Sequence, residues 1–209
     1  MKTSIKTLFA TALTAIVLTS ATAVNAAENN SSYTNITSVK NISKISISGN
    51  VKLILVQDAK ESVQVYDSYY TKNALVQQQN GELRISSFNK ETLTVIAHVN
   101  NISSIEASNN SSVSTSGTFN LLNLKVSLND LATADINTNT VNLNTVVNNG
   151  ASLKLSGSTE SYTAVLGTIA KVNMNNFSAG DTNVSTTPVN TYNASRYDDL
   201  KVDLLETLF

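Results

Sequence analysis

LKVSLNDLATADINTNTVN, residues 124–142, alternates apolar and polar side chains on both sides of a polar corner, and LNTVVNNGASLKLSGSTES, a second block of nineteen residues, follows it directly. Written from Ile105 in rows of nineteen, the chain reads IEASNNSSVSTSGTFNLLN, LKVSLNDLATADINTNTVN, LNTVVNNGASLKLSGSTES, YTAVLGTIAKVNMNNFSAG and DTNVSTTPVNTYNASRYDD without a gap. The first column holds Ile105, Leu124, Leu143 and Tyr162; the third holds Ala107, Val126, Thr145 and Ala164; the fifth holds Asn109, Leu128, Val147 and Leu166. Side chains two apart share one face of a strand, so these columns predict an inward face. Glu106, Lys125, Asn144 and Thr163 fall between them and point to water.

A corner then leads to a second inward set. Its columns are Val113, Ala132, Ala151, Ala170 and Val189, then Thr115, Ala134, Leu153 and Val172, then Gly117, Ile136, Leu155 and Met174. A fixed period near twenty residues with short strands predicts an all-β, single-stranded parallel β-helix, a solenoid whose turns take about 19 residues. Stacking like over like puts Asn110, Asn129 and Asn148 in one corner ladder. It also sets Glu106 beside Lys125 and Asp135 beside Lys154 as cross-strand ion pairs, each worth about 0–1 kcal/mol at a surface.

Upstream, ISKISISGNVKLILVQ (residues 42–57) alternates around Gly49-Asn50, and further strands flank Asn80-Gly81, which predicts hairpin and meander strands covering the N-terminal end. LTVIAHV, residues 93–99, leads into the first row. In the fifth row Asp181, Asn183 and Ser185 replace apolar residues and Pro188 removes a donor, so the row decays. The tail RYDDLKVDLLETLF then reads as a C-terminal cap with Leu200, Val202 and Leu204 inward, since an open strand edge recruits other chains.

The chain opens with Lys2 and Lys6, an apolar run from Leu8 to Leu18, and small residues ending in Val24-Asn25-Ala26, the pattern of a secretory signal peptide cleaved after Ala26 or Ala27. The apolar run is about half of what a membrane-crossing helix needs. The expected organisation is a signal peptide at 1–26, a flexible segment at 27–37, the β domain at 38–195 with N-terminal strands to residue 100 and repeats from 105, and the cap at 196–209. Loss of residues 1–26 removes both lysines and leaves 183 residues with 12 Lys and Arg against 15 Asp and Glu, a charge of −3.

That balance disfavours nucleic acid, which requires a basic stripe to displace counterions, and it disfavours docking on anionic lipid. No cysteine is present. Disulfides, thiol catalysis, Cys-ligated zinc and lipid attachment through an N-terminal Cys are therefore all excluded. The protein is expected in the periplasm, at the cell surface or outside the cell, with no membrane-spanning segment after cleavage.

SISGNVKLILVQ (46–57), NALVQQQNGELRISSF (73–88), ISSIEASNNSSVSTSG (102–117) and the rows that follow resemble the head GIN domain family, a set of auto-transporter adhesin-type domains, over residues 38–195. The resemblance implies an exported bacterial β-helical domain, usually of unknown molecular function, with adhesion suggested mainly by the family's label, and it carries no catalytic or ligand residues. Corner pairs here are Asn-Asn, Asn-Asp and Ser-Thr where the family commonly has Ser-Gly.

The chemistry-bearing residues are few. His98, the one histidine, lies in a strand and reads as an unpartnered surface side chain, because a Ser-His-Asp site would need a nucleophile turn and no Gly-x-Ser-x-Gly occurs. Asp130 and Asp135 lie on one row without a basic cluster beside them, which a polysaccharide lyase would use. No catalytic, cofactor or metal residue is therefore expected. Tyr66, Tyr69 and Tyr70 are the candidate ligand-binding residues, since exposed tyrosines lie well against sugar rings or in a partner's pocket; the bland alternative is that they close the core.

The leading expectation is a non-enzymatic module that binds a surface glycan or protein through weak contacts repeated along the stack. A polysaccharide-active enzyme and a small outer-membrane barrel are the alternatives. A barrel would show aromatic girdles and apolar outward columns, whereas the outward columns here are Asn, Ser, Thr and Lys.

Overall fold

A computed structural model describes residues 33–36, 38–66, 74–87 and 89–187, all within a unit spanning Ser31–Phe209. Of these described residues 73% are in strands and none is in a helix; the fold is all-β, one curled sheet left open as a half-barrel. The strands are β1 (Thr34–Ile36), β2 (Lys44–Gly49), β3 (Val51–Gln57), β4 (Ser62–Tyr66), β5 (Ala74–Gln79), β6 (Glu82–Ser87), β7 (Leu93–Val99), β8 (Ser104–Ser108), β9 (Ser112–Ser116), β10 (Phe119–Leu128), β11 (Thr133–Val147), β12 (Ser152–Leu166) and β13 (Lys171–Thr186). The signal peptide, Pro188 and the C-terminal cap expected from the sequence lie outside the described residues.

Nineteen is the register of β11 on β12 along its whole length: Ala134 faces Leu153, Ile136 faces Leu155, Leu143 faces Tyr162 and Thr145 faces Ala164, all parallel. Phe119 to Leu128 sits on Thr138 to Val147 at the same spacing. Asp135 and Lys154 are register partners, and Lys154 Nζ lies 2.9 Å from Asp135 Oδ2, the pair expected from the rows.

The gapless frame breaks on either side of that region. Ile105 faces Val126, and Val113 faces Ala134, an offset of twenty-one. Phe119 already obeys nineteen, so the two additional residues are Gly117 and Thr118, an insertion at the corner between β9 and β10. The first row therefore slides by two. Glu106 faces Ser127, where the rows had set Lys125, and its carboxylate instead lies 3.0 Å from Lys44 Nζ. Asn110 leaves the predicted ladder, while Asn148 does donate to Asn129 at 3.1 Å. A two-residue slip keeps the inward face inward, because side chains alternate with period two.

One extra residue enters β13, where the register shifts between Lys154 and Ser156. Thr182 and Val184, and not Asp181 and Asn183, therefore face Tyr162 and Ala164. The residues that face β12 thus differ from those the rows had set, but residues 181–187 are all exposed, so burial does fade along the last row.

Each corner of the later rows closes the same way. Backbone N–H groups of Ser111, Ala132, Ala151 and Ala170 donate to the carbonyls of Ser108, Asn129, Asn148 and Gly167 at 3.1–3.3 Å. Asn109, Asp130 and Asn149 take left-handed backbones there, with φ of 59°, 60° and 54°. Asn and Asp tolerate that region better than other residues carrying a side chain, which is why the corners are rich in them. Ala132 and Ala151 are fully buried just inside, as their column implied.

The N-terminal half is stacked out of chain order. β2 pairs in parallel with β6 on one side and β8 on the other, and β3 likewise lies between β7 and β9. Gly49-Asn50 is accordingly a corner between two strands that do not pair with each other, not a hairpin. Asn80-Gly81 is a hairpin, joining antiparallel β5 and β6. β4 lies antiparallel on β7, and β1, from the segment expected to be flexible, lies antiparallel on β4. The inward side chains of these strands form one apolar core, from Ile45, Leu53 and Val65 through Ile105 and Val126 to Leu153 and Tyr162.

Candidate functional site

The corners beside β3 and β7 leave two adjoining clefts. The first, about 560 Å³, is lined by Val39–Ser43, Ala59–Glu61, Asn100 and Asn101. The second, about 660 Å³, is lined by Gln57, Asn100, Asn101, residues 120–122 and residues 139–141. Asn100 and Asn101 belong to both, so the two clefts share a wall, and polar and apolar atoms line each in comparable measure.

Buttressing side chains fix their walls. Glu61 Oε1 accepts the backbone N–H of Ile42 at 3.1 Å and that of Asn100 at 3.5 Å, tying two separate segments together. Gln57 acts similarly: its Nε2 donates to the carbonyls of Asn100 and Asn120 at 3.1 and 3.2 Å, and its Oε1 accepts Asn120 N–H at 3.0 Å. A primary amide carries two donors and two acceptor sites, so it can clamp both backbone polar groups of one residue.

From Asn120 the amides continue along the stack. Asn139 donates to Asn120 Oδ1 at 3.2 Å, and Ser158 donates to Asn139 Oδ1 at 3.1 Å. A parallel rung runs from Asn142 to Asn123 Oδ1 at 2.8 Å. Each exposed amide keeps hydrogen-bonding capacity beyond the ladder, spaced by one strand separation of about 4.8 Å. Leu122, 72% exposed, supplies an apolar spot in the second cleft, and Lys40 and Lys60 line the first.

Tyr66 is the one sequence-predicted site residue within the described residues; Tyr69 and Tyr70 lie outside them. Tyr66 closes β4, its hydroxyl donating to Gln64 Oε1 at 3.1 Å and its ring 5.2 Å from that of half-exposed Tyr33. It lines neither cleft. His98, expected to be unpartnered, has Nδ1 3.3 Å from Asp58 Oδ2. The Lys60 backbone N–H, and after it His98, hold the Asp58 carboxyl below the usual aspartate range. Ser62 lies opposite His98 in register. Asp58 thus pairs with His98, and Ser62 is the register partner of His98 with no side-chain hydrogen bond between them; none of the three lines either cleft.

The groove residues escaped the sequence reading although a signal was there. Asn120, Asn139 and Ser158 occupy one column of the nineteen-residue rows, and Asn123, Asn142 and Ser161 another. Gln57, Glu61 and Asn100 carry no periodic signal, because the corner they build joins rows stacked out of chain order.

The profile of the family described as "putative auto-transporter adhesin, head GIN domain" matches residues 41–205. The chain belongs to the head GIN domain family. No curated protein matches it. Among solved structures the head GIN chain is similar to a putative adhesin of Parabacteroides distasonis ATCC 8503, with TM-score 0.57 and 13% identity over 74% of this chain and 77% of that one. A putative adhesin of Parabacteroides merdae ATCC 43184 gives TM-score 0.56 and 14% identity over the same shares. A third, described as a putative lipid binding protein of Parabacteroides distasonis ATCC 8503, gives TM-score 0.55 and 11% identity over 75% and 78%. At these identities the likeness is one of fold.

Proposed function

We propose that this head GIN chain is an exported, non-enzymatic cell-envelope module with an adhesin-like role, and that its amide-lined groove takes a surface glycan. The observation that carries this reading is that Gln57, Asn120 and Asn139 line one open cleft, with the Asn139 side-chain amide stacked on that of Asn120 one strand spacing away. Planar amides pair well with vicinal hydroxyls, each serving as donor and acceptor at once. Repeated weak contacts along a polymer then add up without a deep pocket. An acyl chain would want an enclosed apolar cavity, whereas both clefts are open to solvent, which is why a glycan is favoured over the lipid named for one structural neighbour.

The nineteen-residue register of β11 on β12 supports reading the curled sheet as a parallel β-helix with turns of about 19 residues, a form that repeats equivalent side chains along one face. The N-terminal pattern supports export through a signal peptide, to the periplasm, the cell surface or the medium, and the absence of cysteine argues against lipid anchoring.

Binding of the mature chain to an array of bacterial and host glycans, with and without Asn120→Ala and Asn139→Ala, tests the reading. Loss of a glycan signal by tenfold or more in the double variant, with the fold intact, is expected. Glycan binding unchanged by both substitutions but abolished by Tyr66→Ala would move the site to the tyrosines. Binding only to protein or lipid would refute a glycan site.

A further inference from the structure

We propose, resting on the glycan reading of the second cleft, that the first cleft takes an anionic group of the same glycan, a carboxylate or a phosphate, held by the ammonium groups of Lys40 and Lys60. These two lysines and Glu61 are the charged residues that line the first cleft, and no charged residue lines the second. Two positive charges thus stand against one negative charge, on a chain whose formal net charge is −1. Among the described residues Lys44, Arg84 and Lys154 are each in an ion pair, whereas Lys40 and Lys60 are in none. Glu61 pairs with neither lysine; its carboxylate accepts the Ile42 N–H at 3.1 Å and the Asn100 N–H at 3.5 Å.

Both lysines stand on tethered backbone. Gln78 brackets Lys40, accepting its N–H at 3.2 Å through Oε1 and donating to its carbonyl through Nε2. Asp58 Oδ1 accepts the Lys60 N–H at 3.0 Å, and the other oxygen of that carboxylate meets His98. Each exposed lysine therefore brings a mobile ammonium with three donors from a fixed stem, a compact charge that suits a carboxylate or phosphate in many orientations. A cleft with an excess of one sign of charge also concentrates ligands of the other sign. Asn41 and Asn101 lie beside the lysines, and Asn100 and Asn101 are common to both clefts, so a sugar chain seated against Asn120 and Asn139 comes to the lysines across that shared wall. A wholly neutral chain would leave both ammonium groups unanswered.

Calorimetric titration of the full mature chain tests the proposal with two probes, an oligogalacturonate and a phosphorylated oligomannose, each beside its neutral counterpart made by carboxyl reduction or by dephosphorylation. The parent is expected to bind at least one acidic probe about tenfold more tightly than its neutral counterpart, and the probe it prefers tells carboxylate from phosphate. Lys40→Gln with Lys60→Gln, checked by circular dichroism for an unchanged fold, is expected to reduce that preference to about twofold or less, and in the parent the preference should shrink as salt rises from about 50 to 500 mM. Lys52→Gln with Lys125→Gln removes two lysines that line neither cleft and is expected to keep the preference. Equal binding of acidic and neutral probes would leave the glycan reading standing and overturn the anionic site. A preference that survives Lys40→Gln with Lys60→Gln, or that the Lys52 and Lys125 substitutions abolish as well, overturns it too. Binding to none of the four probes would overturn both readings together.

Discussion

Asp130 ties the corner before it to the corner after it: its Oδ2 accepts Asn109 N–H at 3.1 Å and its Oδ1 accepts the Asn149 side-chain amide at 3.2 Å. All three backbones are left-handed. Asp130→Ala loses both bonds and places an alanine in a region it disfavours, so a loss of about 1–3 kcal/mol is expected in urea unfolding. Asp130→Gly, which loses the bonds but relieves the backbone, is expected to lose less. Equal losses would show that the bonds alone matter.

Gly157 and Gly117 both have positive φ, 98° and 82°, but their surroundings differ. A Cβ at Gly157 would collide with the Thr138 backbone carbonyl, whereas one at Gly117 meets nothing within 4 Å. Gly117→Ala is expected to cost about 1 kcal/mol from backbone conformation alone, and Gly157→Ala at least twice that. Thermal midpoints of the two variants give the comparison.

Deleting Gly117 and Thr118 would join Ser116 to Phe119 in the way that Asn137 joins Thr138 one row later. The deletion variant is expected to fold with stability within about 1 kcal/mol of the parent, since it removes a corner insertion and no paired residue. Deleting Asn139 and Thr140, which lie inside β11, breaks the register on both neighbours and is expected to prevent folding. Circular dichroism and urea midpoints separate the two.

Lys44 bridges Glu106 at 3.0 Å and Glu82 at 3.5 Å, and Arg84 reaches Glu82 at 2.7 Å. Arg84 first, with Lys44 adding, holds the Glu82 carboxyl below its ordinary value of 4.5. A carboxyl held low when folded stabilises the protein above its unfolded value, and that contribution is lost as pH falls through the lower folded value. Lys44, raised mainly by Glu106, has the opposite sense: its contribution is complete below 10.5 and is lost as pH rises through the higher folded value. Stability should therefore fall below about pH 4.5, and less steeply in Arg84→Gln. Urea midpoints from pH 3 to 7 show whether the slope flattens.

Tyr162 is buried over Leu143, with its hydroxyl 2.9 Å from Thr145 Oγ1 and its ring edge-on to Phe177 at 5.7 Å. Burial raises its pKa, against the Thr145 hydrogen bond. Tyr162→Phe is expected to cost about 1 kcal/mol and Tyr162→Ala about 3–5 kcal/mol, measured by chemical denaturation.

What could be read from the sequence follows from where pairing is local. Residues Phe119 to Asn173 carry strand, face, register and the Asp135–Lys154 pair in a spacing of nineteen, because each row there pairs with the row before it. The Gly117-Thr118 insertion hid because a two-residue slip preserves alternation and leaves the columns looking apolar. The place of β2 and β3 between later strands was not legible, since nothing local marks a row inserted out of chain order. The groove shared that limit: its ladder half was written in the Asn columns, while Gln57 and Glu61 act across chain separations of 63 and 39 residues.

The most direct test of the glycan groove is an amide-resolved NMR titration of the mature chain with oligosaccharides of the cell envelope. Saturable shifts centred on Gln57, Asn100, Asn101, Asn120 and Asn139, and abolished by Asn120→Ala with Asn139→Ala, are the predicted result. Shifts that saturate elsewhere on the surface while these residues stay unmoved would contradict it.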